Sequence, residues 1–215
     1  MANCLSVVQL LGEEERIQGY EGLLVTICLS AKQLIPCVKI SYTKKAPPFA
    51  KIDDIEQLLR KHFGTLYTDA EKYEAEVLAP ERASADKPGQ PYEEDEKVEV
   101  RRVYLSDETF LPQNYFLQAL LPFFIDGAVV IETNPFWNYF LVFEKATGSL
   151  MAYFTVYEAH LSSSRVRTKV SQVLVLAPFR RQGIASKVYA LVYKEYREKD
   201  GRCFELMVED SADDF

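Results

Sequence analysis

The chain is organised around the stretch VSQVLVLAPFRRQGIAS, which occupies residues 170–186. The apolar run at 173–176 is typical of a strand, and a proline ends it. A basic turn at 180–183 follows, and from Ile184 onward apolar residues recur with the period of a helix. Residues 204–209 then have the pattern of a second strand. A helix start with unbonded backbone N–H groups, a glycine and two arginines can bind a pyrophosphate.

Motif spacing alone leaves two interpretations of this turn open. An ordinary strand-to-helix connection with solvated arginines is as acceptable as a phosphate-binding loop, because short motifs are weak signals. The fuller pattern, Arg180-x-x-Gly183-x-Ala185 after a strand, resembles the acetyl-CoA signature of the GNAT N-acetyltransferases. Longer stretches resemble the catalytic subunits of type B histone acetyltransferases; they are LGEEE at 11–15, GYEG at 19–22, WNYFLVFEK at 137–145, YFTVY at 153–157 and the organising stretch itself.

Composition limits the class of protein. The chain has 215 residues, 48% of them apolar, which is enough for one large or two small packed domains. A formal net charge of −7 argues against a general nucleic-acid binder and favours a basic partner. The four cysteines and two histidines lack the spacing of a zinc site or a disulfide framework, so we expect no metal and a reducing compartment. We see neither a secretory signal nor an apolar run near the ~20 residues of a membrane span.

The predicted elements give an α/β (α+β) fold in two parts. Residues 1–65 are expected to form a small α+β N-terminal domain, and 66–215 the acetyl-CoA-binding core. Asp53 should cap the N-terminal helix, and Gly64 should end it. The strands predicted in the N-terminal domain lie at 5–11, 22–30 and 38–42.

The core is predicted to hold a mixed, mostly antiparallel sheet flanked by helices, which the resemblance to GNAT acetyltransferases also implies. Residues 74–78 and 98–105 are expected to pair as a long hairpin. Residues 80–96, rich in Pro, Asp, Glu and Lys, are expected to form a mobile loop. Two further strands are predicted at 136–144 and 150–159, followed by a polar surface loop at 161–169.

Acetyl transfer to a lysine requires a neutral amine, although a free lysine has a pKa near ~10.4. A carboxylate beside the thioester is the simplest general base. The final strand delivers Glu209 and Asp210 next to the turn that would hold the cofactor. The alternative is that both belong to a solvated acidic tail. Asp126, which follows an apolar run, is a second candidate, with a plain helix-end role as its alternative.

The resemblance implies roles for further residues. Glu209 stands where the family has its base, whereas Asp126 stands where the family has the longer Glu. The strand residues Val173, Leu174 and Val175 match those that pair with the pantetheine arm of acetyl-CoA, although they are equally explained as core. The pyrophosphate loop is matched by Arg180, Arg181, Gln182, Gly183, Ile184, Ala185 and Ser186. The positions that contact a histone tail are matched by Glu13, Glu14, Glu15, Trp137, Tyr157, Glu158 and Ala159; a core Trp and solvated glutamates are the alternatives.

The resemblance also implies an activity. It indicates a lysine acetyltransferase for newly made histone H4, located in the cytoplasm and nucleus, with a WD-repeat histone chaperone as partner. The alternatives are an N-acetyltransferase for another amine and a silent protein that binds a histone or an acyl-CoA. Compared with the family pattern, most of an N-terminal segment is missing and the chain stops at Phe215. We therefore expect the catalytic core to be incomplete at its C-terminal end.

Overall fold

The computed structural model describes residues 16–125 and 128–209. They form two compact units. The first lies within Met1–Asp86 and Gln113–Val130, the second within Lys87–Pro112 and Ile131–Phe215. The predicted domain boundary between residues 65 and 66 falls inside the first unit, and the division into domains stays a prediction.

The first unit contains two small antiparallel ladders and several short helices. Asp54, not the predicted Asp53, caps the helix before Gly64, because its carboxylate accepts the Gln57 N–H at 2.9 Å. Gly64 ends this helix with a φ of 66°, as predicted. The strand pairs are β1 (Tyr20–Glu21) with β4 (Lys44–Lys45) and β2 (Leu24–Leu29) with β3 (Pro36–Ser41). The helices are α1 (Ile55–Phe63), α2 (Ala70–Tyr73), α3 (Ala79–Ala83) and α4 (Leu111–Leu120), the last beginning in the second unit.

The predicted strand at 74–78 is wrong, because these residues form a π-helical segment between α2 and α3. Asp69 starts the helical stretch by accepting the N–H groups of Glu71 and Lys72. Tyr73 and Val77, four residues apart, are both buried, as a helix requires. The predicted loop at 80–96 is also wrong, since it holds part of α3 and a strand of the sheet described next.

The second unit is built on a six-stranded sheet. Its strands lie side by side in chain order, and only the last pair is parallel. The predicted fold class, a mixed and mostly antiparallel sheet with helices, is therefore confirmed. The strands are β5 (Gln90–Glu94), β6 (Val98–Tyr104), β7 (Trp137–Glu144), β8 (Leu150–Ser162), β9 (Arg165–Val175) and β10 (Cys203–Val208).

One face of this sheet is covered by helix α5 (Ile184–Tyr193), which continues into a π-helical segment, Lys194–Lys199. Val188 and Val192 of α5 are fully buried against a cluster that includes Phe140 and Phe154. We call this the helix face. The other side of the sheet is fully buried at Tyr139, Leu141 and Tyr153 but partly exposed at Tyr157 and Lys169, and we call it the open face. Cross-strand partners share a face, so the strand register assigns every sheet residue to one or the other.

The predicted loop at 161–169 is wrong, because β8 and β9 form a long hairpin through this segment. Exposed Arg165 and Arg167 alternate with the buried Val166 and Thr168, which is the two-residue period of a half-buried strand. The charged side chains on the open face make the segment polar on average, so polarity alone predicts a loop and not a strand. Within the described ranges, no helix is long and apolar enough to cross a membrane.

Candidate active site

Strands β9 and β10 pair for only part of their length. Their parallel ladder runs from Cys203 beside Val166 to Val208 beside Val170, and the Glu209 N–H donates to the Val170 carbonyl at 2.9 Å. Strand β9 continues to Val175, and no described strand pairs with residues 171–175 on the β10 side. An extended ligand with amide groups can therefore add to this edge as a strand would.

A β-bulge marks the point where the pairing stops. Val156 pairs with Val170 but Phe154 pairs with Val173, so β9 carries one extra residue there. The Gln172 N–H donates to the Thr155 hydroxyl at 2.8 Å, which satisfies a backbone group that the bulge removes from the ladder.

The three predicted cofactor residues on β9 lie beyond this bulge. The side chains of Val173 and Val175 pack against the core of the helix face, and Leu174 is buried. Their side chains therefore belong to the core, and only their backbone groups are available to a pantetheine arm.

Glu209 lies directly after the last paired residue of β10. Its carboxylate accepts hydrogen bonds from Lys169 Nζ at 2.7 Å and from Ser171 Oγ at 2.5 Å. These two bonds, that from Lys169 foremost, hold the pKa of the Glu209 carboxyl below its usual range. Glu209 is therefore ionised at neutral pH, which is the form that a general base needs.

The basic turn leads into α5 in an open conformation. Arg181 and Gly183 have φ values of 63° and 74°, both in the left-handed region. No side chain caps α5, and a Cβ placed on Gly183 would have no atom within 4 Å. The start of α5 therefore lacks a side-chain cap and has open space beside Gly183, and such a helix start can bind a phosphate.

A cavity of about 510 Å³ opens beside this turn. Gln182, Gly183 and Lys187 line one side of it, and Lys97 and Met151 are among the residues of the other. The ammonium of Lys187 is bound by Asp95. The cavity is large enough for a group attached to a phosphate held at the helix start.

The open face carries an aromatic and basic row next to Glu209. The register aligns Trp137, Tyr157, Lys169 and Met207 across four adjacent strands. The rings of Trp137 and Tyr157 are in contact, with centroids 4.9 Å apart. Because neighbouring strands are about 4.8 Å apart, the row places two aromatic side chains roughly 10–15 Å from the end of β10.

The four predicted substrate residues on β7 and β8 separate between the two faces. Trp137, Tyr157 and Ala159 lie on the open face with Glu209. Glu158 lies on the helix face, where one carboxylate oxygen accepts from Arg102 at 2.9 Å, Asn138 at 2.9 Å and Tyr196 at 2.7 Å. Its carboxylate is already bound within the protein.

Sequence analysis did not identify this buried polar network. Arg102 also donates to Glu195 at 3.1 Å, and the side chains of Arg102 and Glu158 are 17% and 10% exposed. Only the long-range register brings these residues together. The chemical cue would have been a charged residue at a core-facing position of β6, between Val100 and Val103.

Removing Arg102 should strongly destabilise the second unit. The Arg102→Met variant keeps most of the apolar stem but removes the cation that Glu158 and Glu195 share, at a cost of about 3–5 kcal/mol. Glu195 keeps its longer ion pair with Lys199 at 3.6 Å. Urea denaturation followed by circular dichroism measures the loss. The matched control is Arg167→Met, which breaks an exposed pair with Glu205 and should cost about 0–1 kcal/mol. Equal losses in the two variants would contradict this account.

Several predicted site residues fall outside the part of the chain that the structure describes. Among residues 16–125 and 128–209, no group of three or more His, Cys, Asp and Glu side chains is arranged to hold a metal ion. The residues outside the described ranges are Glu13, Glu14, Glu15, Asp126 and Asp210.

Comparison with known sequence families identifies the lineage of the chain. The family described as "Histone acetyl transferase HAT1 N-terminus" matches residues 6–126, which is more than half of the sequence. The chain belongs to this family. The resemblance noted in the sequence is thereby confirmed.

Relatives of this HAT1-family chain carry a matching name. A histone acetyltransferase type B catalytic subunit from Mycosarcoma maydis is 26% identical over 247 residues, which cover 95% of this chain and 54% of the relative. The human protein of the same name is 26% identical over 224 residues, covering 88% and 50%. The chain thus spans about half the length of the curated relatives it matches.

Solved acetyltransferases give weaker matches to the HAT1-family chain. The xEco2 acetyltransferase domain bound to a CoA conjugate has a TM-score of 0.47 at 14% identity, covering 60% of this chain and 88% of that one. Glucosamine-6-phosphate N-acetyltransferase from Arabidopsis thaliana has a TM-score of 0.38 at 17% identity, covering 55% and 86%. Scores at this level carry no argument about function.

Proposed function

We propose that the chain is the catalytic part of a histone acetyltransferase that transfers an acetyl group from acetyl-CoA to a lysine of the histone H4 tail. One observation carries the proposal. The ionised carboxylate of Glu209 lies directly after β10, beside the edge of β9 at residues 171–175, with which no described strand pairs on the β10 side. Family membership supports a histone substrate.

The unpaired edge of β9 and the start of α5 together fit acetyl-CoA. The pantetheine arm would bond to backbone groups of residues 171–175, and the pyrophosphate would lie at the N–H groups that follow Gly183. Backbone N–H groups of Val173, Leu174 or Val175 would stabilise the thioester oxygen as negative charge develops on it. No metal is needed for this chemistry.

Glu209 would act as the general base. A substrate lysine enters as an ammonium ion, and the carboxylate accepts its proton before the neutral amine attacks the thioester directly. Because the pKa of Glu209 is lowered, the carboxylate remains ionised under mildly acidic conditions as well. Asp126 and Asp210 remain alternative or assisting bases.

The substrate surface would be the open face beside Glu209. Trp137, Tyr157 and Ala159 offer an apolar wall for the stem of the lysine and for its neighbours. The net charge of −7, with Glu13, Glu14 and Glu15 near the N-terminus, suits a basic tail. By the same family reasoning, a WD-repeat histone chaperone is the proposed protein partner, and cytoplasm and nucleus are the proposed locations.

Transfer assays with a peptide panel test this function. Labelled acetyl-CoA is supplied with an H4-tail peptide, an H3-tail peptide, a scrambled peptide of equal charge and a small primary amine. We expect transfer to the H4 tail at the highest kcat/KM. Equal transfer to all acceptors would identify a general N-acetyltransferase. Acetyl-CoA binding by calorimetry without any transfer would identify a silent binding protein.

A further inference from the structure

Glu209 already holds a lysine ammonium. Lys169 Nζ lies 2.7 Å from Glu209 Oε1, within reach for direct proton transfer. The function proposed for Glu209 is to take a proton from a lysine ammonium in this position. Lys169 therefore occupies the place that an incoming substrate lysine would take at the base.

The position of Lys169 on the sheet also fits an acetyl acceptor. It lies on the open face, between Tyr157 of β8 and Met207 of β10, and its side chain is 33% exposed. It precedes by one residue Val170, the last residue of β9 that pairs with β10. The edge of β9 with which no described strand pairs begins at Ser171, whose hydroxyl donates to the same carboxylate. The lysine, the carboxylate that would act as its base and the start of the edge therefore all lie beside residues 169–171 of β9.

We propose that Lys169 is an internal acetyl acceptor, modified by the chain's own active site. In this step Lys169 Nζ gives one proton to the Glu209 carboxylate and attacks the thioester carbon of acetyl-CoA. The N–C bond forms as the C–S bond breaks, the second proton of the nitrogen passes to the departing CoA thiolate, and CoA leaves as the thiol. The proton on Glu209 returns to solvent. The products are Nε-acetyl-Lys169 and CoA. The inference rests on the function proposed above, because it uses the same base and donor.

Such a modification changes the site that makes it. Acetylation removes the positive charge of Lys169 and with it the main cause of the lowered pKa of Glu209. The carboxylate is then released from its ion pair and keeps the bond from Ser171. Self-acetylation would therefore free the Glu209 carboxylate from Lys169, so that it could accept a proton from an external lysine.

Another lysine of the same unit is a natural control. Lys145 is 37% exposed and pairs with Glu94 at 2.9 Å, so the exposure of the lysine and the length of its ion pair are similar to those of Lys169, while Glu94 is more exposed than Glu209. Glu94 lies on β5, at the other end of the sheet order from β10. Chemical acetylation by free acetyl-CoA should treat the two lysines alike, whereas acetylation by Glu209 should select Lys169.

The test follows both lysines by peptide mass spectrometry after the 215-residue chain is mixed with isotope-labelled acetyl-CoA. We expect Lys169 to react faster than Lys145 by on the order of a hundredfold, the lower end of a general-base effect. Glu209→Gln should reduce the Lys169 rate to that of Lys145. The fraction modified at a given time should not depend on protein concentration, because the reaction is intramolecular.

The outcomes separate this inference from the proposed function. Equal rates at Lys169 and Lys145, or a Lys169 rate that Glu209→Gln leaves unchanged, overturn the inference, and transfer to the H4 peptide in the same sample leaves the function standing. Fast modification of Lys169 without transfer to any peptide supports the inference and overturns the histone substrate. No transfer to either acceptor overturns both.

Discussion

Replacing Glu209 by Gln should lower kcat for histone-peptide acetylation by on the order of a hundred- to ten-thousand-fold, while the affinity for acetyl-CoA is kept. The amide cannot accept the proton of the substrate ammonium, yet it retains the size of the carboxylate. The loss should be partly recovered at high pH, since a lysine amine with a pKa near ~10.4 becomes neutral without help. Steady-state kinetics from pH 6 to about 9.5 measure both effects.

Glu205→Gln is the matched control for this variant. Glu205 lies on β10, four residues before Glu209, and it forms an ion pair with Arg167 at 2.5 Å. Its neutralisation should leave kcat near that of the parent. If the Glu209 variant of an active parent retains full kcat at neutral pH, Glu209 is not the base, and Asp126 or Asp210 becomes the leading candidate.

Gly183→Glu should abolish measurable binding of acetyl-CoA. The new carboxylate would stand in the open space before the first turn of α5, where the pyrophosphate is proposed to lie. Like charges brought together cost several kcal/mol, which raises Kd by roughly a hundredfold or more. Because a Cβ at this position meets no atom within 4 Å, the fold should survive. Calorimetric titration measures Kd, and circular dichroism checks the fold.

Two controls separate charge from backbone strain. Gly183→Ala imposes the same left-handed φ of 74° on a side chain, but adds no charge. Gly201→Glu adds the same charge to another glycine whose Cβ would meet no atom within 4 Å. Both should keep most of the affinity. An unchanged Kd for Gly183→Glu itself would refute the assignment of this turn to the pyrophosphate.

The organising unit could be predicted because its signals are local. An apolar strand, a proline, a glycine and a helical period all lie within residues 170–193 and agree with one another. The predictions for residues 74–78 and 161–169 were wrong because the local pattern of these segments does not match the structure that they adopt. The first alternates polar and apolar residues yet follows a strong cap at Asp69, and the second hides a strand beneath charged side chains on one face.

The position of Glu209 at the end of a strand was also predictable, but its environment was not. The bonds from Lys169 and Ser171 depend on how β10 is registered against β9, roughly forty residues apart in the chain. The same limit explains Glu158, which neighbours Tyr157 in sequence but faces the opposite side of the sheet. Residue type indicated a carboxylate near the site, and only the register determined which carboxylate is available.

The bulge at Ser171 and Gln172 reverses the alternation of the side chains of β9 between the two faces of the sheet. Up to Val170, the even-numbered residues face α5, whereas beyond the bulge the odd-numbered Val173 and Val175 do so. Deleting one residue there would remove the bulge and shift the register of one half of the strand by one residue. That half would then present its polar side chains to the core. Natural variation in this segment should therefore take the form of exchanges of side chain at constant length, with insertions and deletions confined to the turns at either end.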